Sequence, residues 1–246
     1  MTAKRAYIMN DHKIMEEIVG SKFDPLSGYI YGFADLSGLL TGEYSRFSLG
    51  LSIGKRLVDQ MVDPVVNGPT REYYHHFKKA NQDLEIISNE IISELIGNGI
   101  GCMAIIPSMP LSGQEFKPYL KDLRYKLSHK MVATRAGLGW IGKTGLFVSE
   151  AFGPRLRLVS ILIESSTTVK AIPTEVSKCG TCNICVTKCP AQAANGYSWS
   201  INVDRDEFFD ARKCREKCLE YGRQMFGEDV GVCGICVAVC PRGQAG

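Results

Sequence analysis

Long apolar runs are missing from this chain of 246 residues, and neither sign of charge dominates it. The longest uncharged stretch, Leu95 to Gln114, is broken by Gly97, Gly99, Gly101, Pro107, Pro110 and Gly113. A membrane span does not tolerate that punctuation, so a membrane partner is not expected. The net charge of +3 is too small to argue by itself for nucleic acid or anionic lipid. No apolar segment follows the opening Met1-Thr-Ala-Lys-Arg that could serve as a signal peptide, so a cytoplasmic location is expected. Cysteine is almost absent from the first 178 residues, where Cys102 stands alone. The other nine of the ten lie between Cys179 and Cys240. That is about 13% of residues 179–246, the density of a covalent or metal scaffold. In a reducing compartment, clustered thiols bind metal rather than pair as disulfides.

What is present divides in two. Hydrophobic residues make up 45% of the chain and charged residues 22%, enough apolar material for a core. Residues 1–172 read as an α+β unit. Phe77, Ala80, Leu84, Ile87, Ile91 and Leu95 recur at helical spacing, and Gly97-Asn98-Gly99 supplies a stop. Strands are expected at Arg46–Ile53, Ile100–Ile106, Leu146–Val148 and Leu156–Ile163. Arg155 and Arg157 alternate with Leu156 and Leu158, as on the polar face of a half-buried strand. The apolar pattern lapses over residues 167–174, and residues 173–246 are too few and loop-rich for a conventional core, so cysteines are expected to hold them together.

Cys179-x2-Cys182-x2-Cys185-x3-Cys189-Pro190 has the spacing of a bacterial-ferredoxin [4Fe-4S] run. Three thiolates wrap one cubane, and the fourth is carried to the other cluster. Cys233-x2-Cys236-x3-Cys240-Pro241 repeats the pattern, except that its first position holds Val230. Crossing the fourth ligands places Cys179, Cys182, Cys185 and Cys240 on cluster A. Cluster B then takes Cys189, Cys233, Cys236 and either Cys214 or Cys218. Structural zinc is the alternative for C-x2-C pairs, but it gains nothing from a third cysteine at the same spacing or from the C-x3-C-P ending. Cys102, within an apolar strand, reads as a small hydrophobe.

The other concentrated signal is Arg135-Ala-Gly137-Leu-Gly139-Trp140-Ile141-Gly142-Lys143-Thr144-Gly145. Gly137 to Thr144 spells the phosphate-loop pattern, which requires a strand before it and a helix after it. Here a helical segment precedes and a strand follows, so ATP binding is not the expected reading. Glycines around Trp140, flanked by Arg135 and Lys143, would let backbone approach a flat anionic group.

These residues carry a resemblance. Ala136-Gly-Leu-Gly-Trp-Ile-Gly-Lys143, the strand pair and the cysteine runs are similar to epoxyqueuosine reductase, over about Tyr31 to Pro241. Asp210-Ala-Arg-Lys-Cys214 resembles that family's Asp-Ala-Arg-Arg-Cys and so favours Cys214 as the displaced ligand. A short branch of the family is also matched by Gly68-Pro-Thr70, Tyr73-Tyr-His-His76 and Arg205-Asp-Glu-Phe-Phe-Asp210.

The resemblance implies a nitroreductase-like, cobalamin-processing catalytic domain followed by a bacterial-ferredoxin-like module with two [4Fe-4S] clusters, as in reductive dehalogenases. It implies a cobalamin, with flavin as the alternative, reduced through the clusters by a low-potential ferredoxin- or flavodoxin-type donor. Arg135, Gly137, Gly139, Trp140, Ile141, Gly142 and Lys143 are then the expected corrin contacts. The family's general-acid aspartate falls at Leu123 by counting, with Asp122 adjacent, so Asp122 is the candidate catalytic proton donor. Tyr119, Tyr125 and His129 are its substitutes. Without the helical repeats that follow the clusters in tRNA-modifying relatives, tRNA is not the expected substrate. A small molecule or a corrinoid protein is. The rival expectation is an electron-transfer protein that reduces a partner's corrinoid or flavin.

Overall fold

The computed structural model describes residues 2–24, 27–108 and 116–244. Its centre is an antiparallel sheet in the order β1-β2-β6-β3, built from Tyr29–Asp35, Leu49–Arg56, Leu156–Ile163 and Cys102–Ile105 respectively. The period of two along the inner strands sorts side chains to two faces. Leu49, Leu51 and Ile53 of β2 and Val159, Ile161 and Ile163 of β6 face one way, onto α1 (Thr2–Ser21) and α3 (Arg71–Gly97). Leu84, Ile91 and Leu95 of α3 are fully buried there, and Thr70 caps the helix through Tyr73 N–H.

The opposite face of β2 is Gly50, Ser52 and Gly54, and the small size of these residues has a purpose. A Cβ on Gly50 would lie 2.8 Å from Val132, and one on Gly32 of β1 would lie 3.3 Å from Ala136. Helix α5 (His129–Arg135) and the chain after it therefore press closely on the sheet. After α2 (Asp59–Val62) and α4 (Phe116–Asp122), the chain runs from α5 into a small hairpin, β4 (Gly139–Ile141) with β5 (Phe147–Ser149). Helix then strand is the inverse of a phosphate loop, as the sequence indicated.

The strand expected at Arg46–Ile53 lies three residues later. A 3-10 turn at Gly42–Tyr44 carries into Phe47, whose N–H bonds Tyr44 O, and pairing begins at Leu49 opposite Ile163. Cys102–Ile105 is shorter than expected because β6 ends opposite Cys102. The expectation that Arg155 sits on a polar strand face is overturned. Arg155 is 1% exposed and bonds Asp59, Asp63 and the carbonyl of Ala238.

The last third consists of α6 (Ile184–Thr187), α7 (Arg205–Phe208), α8 (Ala211–Phe226) and α9 (Ile235–Ala238) joined by loops. Its apolar residues are shared with the rest of the chain. Val232, Val237 and Ala238 pack with Leu57, Val62, Val65 and Tyr73, and Phe208 packs with Ala133, Ile141, Phe147 and Leu156. Trp199, half-buried, packs against that second cluster.

Candidate metal centre

The cysteines are gathered by two short helices, the loops beside them and α8. Cys185 lies on α6 and Cys236 on α9, each a single turn that follows a loop. Gly234, at φ +90°, lets the second loop turn directly against Tyr73 of α3; a Cβ there would stand 2.6 Å from the ring. The thiols lie close enough to act on one another electrostatically. Cys185 is surrounded by Cys240, Cys179 and Cys182, and burial with these neighbours pushes its thiol up to about 11. Cys236 is buried beside Cys233, Cys214, Cys185 and Cys189, which pushes it well above its ordinary value. Its neighbours come from both cysteine runs and from α8.

Donors are directed at the sulfurs. Ala193 N–H points to Cys189 Sγ at 3.4 Å, Arg242 N–H bonds Cys240, and the N–H groups of Gly234 and Ile235 bond Cys233. Clustered thiols with N–H donors aimed at sulfur suit a cation-rich cluster that takes them as thiolates. Cys214 and Cys218 lie one turn apart on α8, and the Cys218 thiol hydrogen-bonds both Cys214 and Cys233. Cys102 bonds only Ile92 O, at 3.8 Å, and burial raises it to about 11, in keeping with a small core residue.

The glycine segment lies against the first thiol group. Trp140 is 1% exposed, and its Nε1–H donates to Cys179 Sγ at 3.3 Å. The Thr144 side chain hydrogen-bonds Cys185. Lys143 is 4% exposed with Nζ 2.8 Å from Asn183 Oδ1, the residue that opens α6. The glycines are filled by the chain itself. A Cβ on Gly139 would be 2.1 Å from Val148 O, one on Gly137 2.7 Å from Ile172 O, and one on Gly142 3.7 Å from Cys179 Sγ. Ile141 packs in the core with Phe208. Arg135 differs, because its Nε is buried without a partner and its charge helps hold the Asp35 carboxyl low.

Asp122 ends α4 in an exposed position, its carboxylate accepting Arg124 N–H at 2.9 Å. The loop around it is gripped from the C-terminal third. Arg205 donates to the carbonyls of Asp122 and Leu123, both at 2.7 Å, Arg212 donates to Lys121 O, and Arg124 pairs with Asp204 and Asp206. His129 is committed elsewhere. Ile106 O can only accept, so Nε2 carries the proton, and Nδ1 accepts from Ser160 Oγ. Burial holds its pKa down at about 4, and neither nitrogen is free to deliver a proton. Tyr125 stacks on Tyr119 with ring centroids 4.7 Å apart, and burial pushes it up to about 12. His76 accepts Val58 N–H at the start of α2, which is a capping role.

Residues 178–243 match the family model described as a 4Fe-4S double cluster binding domain. The C-terminal region is a double-cluster iron–sulfur domain. Curated relatives align with about half of the chain. An epoxyqueuosine reductase from Lactococcus garvieae is 33% identical over 121 residues, which is 45% of this chain and 30% of that protein. A tetrachloroethene reductive dehalogenase from Sulfurospirillum multivorans is 30% identical over 123 residues, 44% of this chain and 22% of that one. The matched stretch thus spans about a third or less of these relatives' own length. Among solved structures, the catabolic reductive dehalogenase NpRdhA superposes with a TM-score of 0.63 at 13% identity, covering 88% of this chain and 30% of its own. An epoxyqueuosine reductase solved with an epoxyqueuosine-modified tRNA-Tyr stem loop gives 0.60 at 16%, covering 95% and 66%. The double-cluster domain and the α+β unit before it therefore share the fold of both enzyme groups. Among the described residues, no helix is long and apolar enough to cross a membrane.

Tyr73 is the site residue for which sequence reasoning gave no role. It is buried against the second cysteine loop beside Cys233, Cys236 and Cys218. Its position at the N-terminus of a long amphipathic helix was visible, but its partner lies 160 residues away.

Proposed function

We propose that the chain is an iron–sulfur oxidoreductase that passes electrons singly through two [4Fe-4S] clusters to an acceptor, in the manner its likeness to epoxyqueuosine reductases and reductive dehalogenases suggests. Cluster A is held by Cys179, Cys182, Cys185 and Cys240, and cluster B by Cys189, Cys233, Cys236 and Cys214. The observation that supports this is the nearness of Cys240, Cys179 and Cys182 to Cys185, and of Cys233, Cys214 and Cys189 to Cys236. Val176, Ile184, Tyr197 and Ile201 are exposed apolar residues on neighbouring segments beside cluster A. There we place the docking of a low-potential ferredoxin- or flavodoxin-type donor.

The acceptor we propose is a corrinoid, because one dehalogenase of the same fold is described with a B12-dependent mechanism. The glycine segment does not fit a corrin: Trp140 and Lys143 are buried and engaged, and Gly137 and Gly139 are closed by backbone. No electron step is therefore routed through a corrin there, and Asp122 is proposed as proton donor only for a substrate reaching its exposed carboxylate. The substrate we favour is a small molecule or a corrinoid protein rather than tRNA.

The alternative is a carrier that reduces a partner's corrinoid or flavin, favoured by this same closed segment. Anaerobic reconstitution tests the core of the proposal, which expects about eight irons per chain. Titration with cob(II)alamin followed by EPR then separates the two readings. Conversion of cobalamin to a base-off signal that vanishes on low-potential reduction supports the reductase. An unchanged cobalamin spectrum with full iron moves the assignment to the carrier, and fewer than four irons refutes both.

A further inference from the structure

The segment whose spelling suggests a phosphate or corrin cradle meets a different anion. Lys143 is 4% exposed, its one hydrogen-bond partner is the neutral Asn183 Oδ1, and among the described residues no carboxylate forms an ion pair with it. A buried ammonium without an anion is costly, so a negative group is required nearby. The residue it bonds stands between Cys182 and Cys185, and the residues on either side of it in the hairpin bond Cys179 and Cys185. Lys178 and Arg242 both lie over the Trp140 ring, at 5.7 and 5.8 Å from its centroid. They flank Cys179 and Cys240 in sequence, so the indole touches both ends of the first ligand set.

We propose that the β4–β5 hairpin is a tuning element for cluster A, with Trp140, Lys143 and Thr144 as positioning residues that raise its reduction potential. The inference rests on the assignment of Cys179, Cys182, Cys185 and Cys240 to a cluster. A [4Fe-4S] centre with four thiolates is anionic and gains one further negative charge when it accepts an electron. N–H and O–H donors at sulfur and a buried cation stabilise the reduced form more than the oxidised one, and hydrogen bonds to sulfur are a recognised determinant of such potentials. The glycines serve the same end. Gly139 allows the hairpin to close on Val148 O, and Gly142 leaves room for the Val148 side chain, which a Cβ would meet at 3.1 Å.

The test is an anaerobic redox titration, followed by EPR, of the reconstituted full chain and its variants Trp140→Phe, Thr144→Val and Lys143→Gln. Each variant is expected to keep the iron content of the parent and to lower the midpoint of one cluster while leaving the other unchanged. A tenfold fall in the reduced-to-oxidised ratio at fixed potential, 59 mV for a one-electron couple, is the expected scale for Trp140→Phe. Identical midpoints in all three variants, with full iron, overturn the proposal while leaving the cluster assignment standing. A parent chain that takes up no iron overturns the assignment itself. Because Trp140 is a core residue, the parent provides a second readout. With 15N-indole tryptophan, the reduced cluster should show a 15N hyperfine coupling that persists in Trp199→Phe, and absence of any such coupling refutes the hydrogen bond.

Discussion

Arg155 offers the sharpest test of how the two parts of the chain are joined. Its guanidinium is 1% exposed, and Nη1 lies 2.8 Å from Asp59 and 2.6 Å from Asp63, while Nη2 lies 3.2 Å from the carbonyl of Ala238, between Cys236 and Cys240. Breaking a buried ion pair costs roughly 3–5 kcal/mol when a charge is left stranded, and much less when nothing is stranded. The two sides of this contact differ in that respect. With Arg155→Met, Asp63 is 62% exposed and returns to water, Asp59 keeps Arg56 at 2.7 Å, and Ala238 O keeps Gln244 at 3.3 Å. The lost arginine also takes with it a buried Nε that has no partner. A cost of about 1–2 kcal/mol is expected. Asp59→Asn/Asp63→Asn instead leaves the cation buried with neutral acceptors and no counter-charge, and a cost of roughly 3–5 kcal/mol is expected.

Anaerobic urea unfolding of the iron-loaded protein, followed by tryptophan fluorescence, gives the ordering. With a slope of roughly 3 kcal/mol/M, the double carboxylate variant falls by about 1–1.7 M in midpoint and Arg155→Met by about 0.5 M. Iron release to a chelator should follow the same order, since Ala238 belongs to the second cysteine loop. If Arg155→Met is the more destabilised of the two, the argument from stranded charge is wrong.

Three other outcomes are expected. Cys214→Ser should reduce bound iron from about eight to about four per chain, and Cys218→Ser should leave it unchanged, measured as iron and sulfide after anaerobic reconstitution; the reverse result would make Cys218 the ligand. His129 has its folded pKa held at about 4, below its unfolded value near 6.5, so the unfolded state binds the extra proton first. Its contribution is present above pH 6.5 and lost as pH falls towards 4, by about 2 kcal/mol after allowance for partial exposure, and the difference in urea midpoint between parent and His129→Gln should shrink over that window. Gly153→Ala places a Cβ 1.4 Å from Arg242 O at a φ of +55°, so it should cost upwards of about 3 kcal/mol and speed iron release; a stability within 1 kcal/mol of the parent would show that the chain there yields freely.

The parts legible in the sequence were those whose cause is local. Helix α3 shows its apolar period and its glycine stop, and β6 shows an apolar strand with both ends correct. The cysteine spacing marks the double-cluster domain because two-residue gaps suit one cubane face. What was not legible depends on partners far away in the chain. Arg155 alternates with leucines like any strand arginine, and only Asp59, Asp63 and Ala238 reveal it as buried. The glycine segment was legible as a place of close approach, but what it approaches lies some 40 residues later. Gly139 needs Val148 O and Trp140 needs Cys179 before the reading turns from an external ligand to the protein's own centre.

The missing cysteine at position 230 shows how such distant constraints select a residue. Val230 is 7% exposed, and its carbonyl lies where a Cβ on Gly222 would come within 1.9 Å. Helix α8 thus crosses the loop at its closest point there, and position 230 is occupied with packing against the helix rather than with facing the cluster. The helix that closes off this position also brings a thiol to the same group: Cys214, two turns before Gly222, has Cys233 as a close neighbour. On the proposed ligand assignment, loss of the ligand from the loop and its supply from α8 are one packing solution. Restoring a cysteine by Val230→Cys should therefore not rescue iron binding in Cys214→Ser, because the buried side chain at 230 cannot turn to the cluster without lifting α8. Full rescue, read as a return from about four irons to about eight, would show the loop free to take the ordinary ferredoxin path.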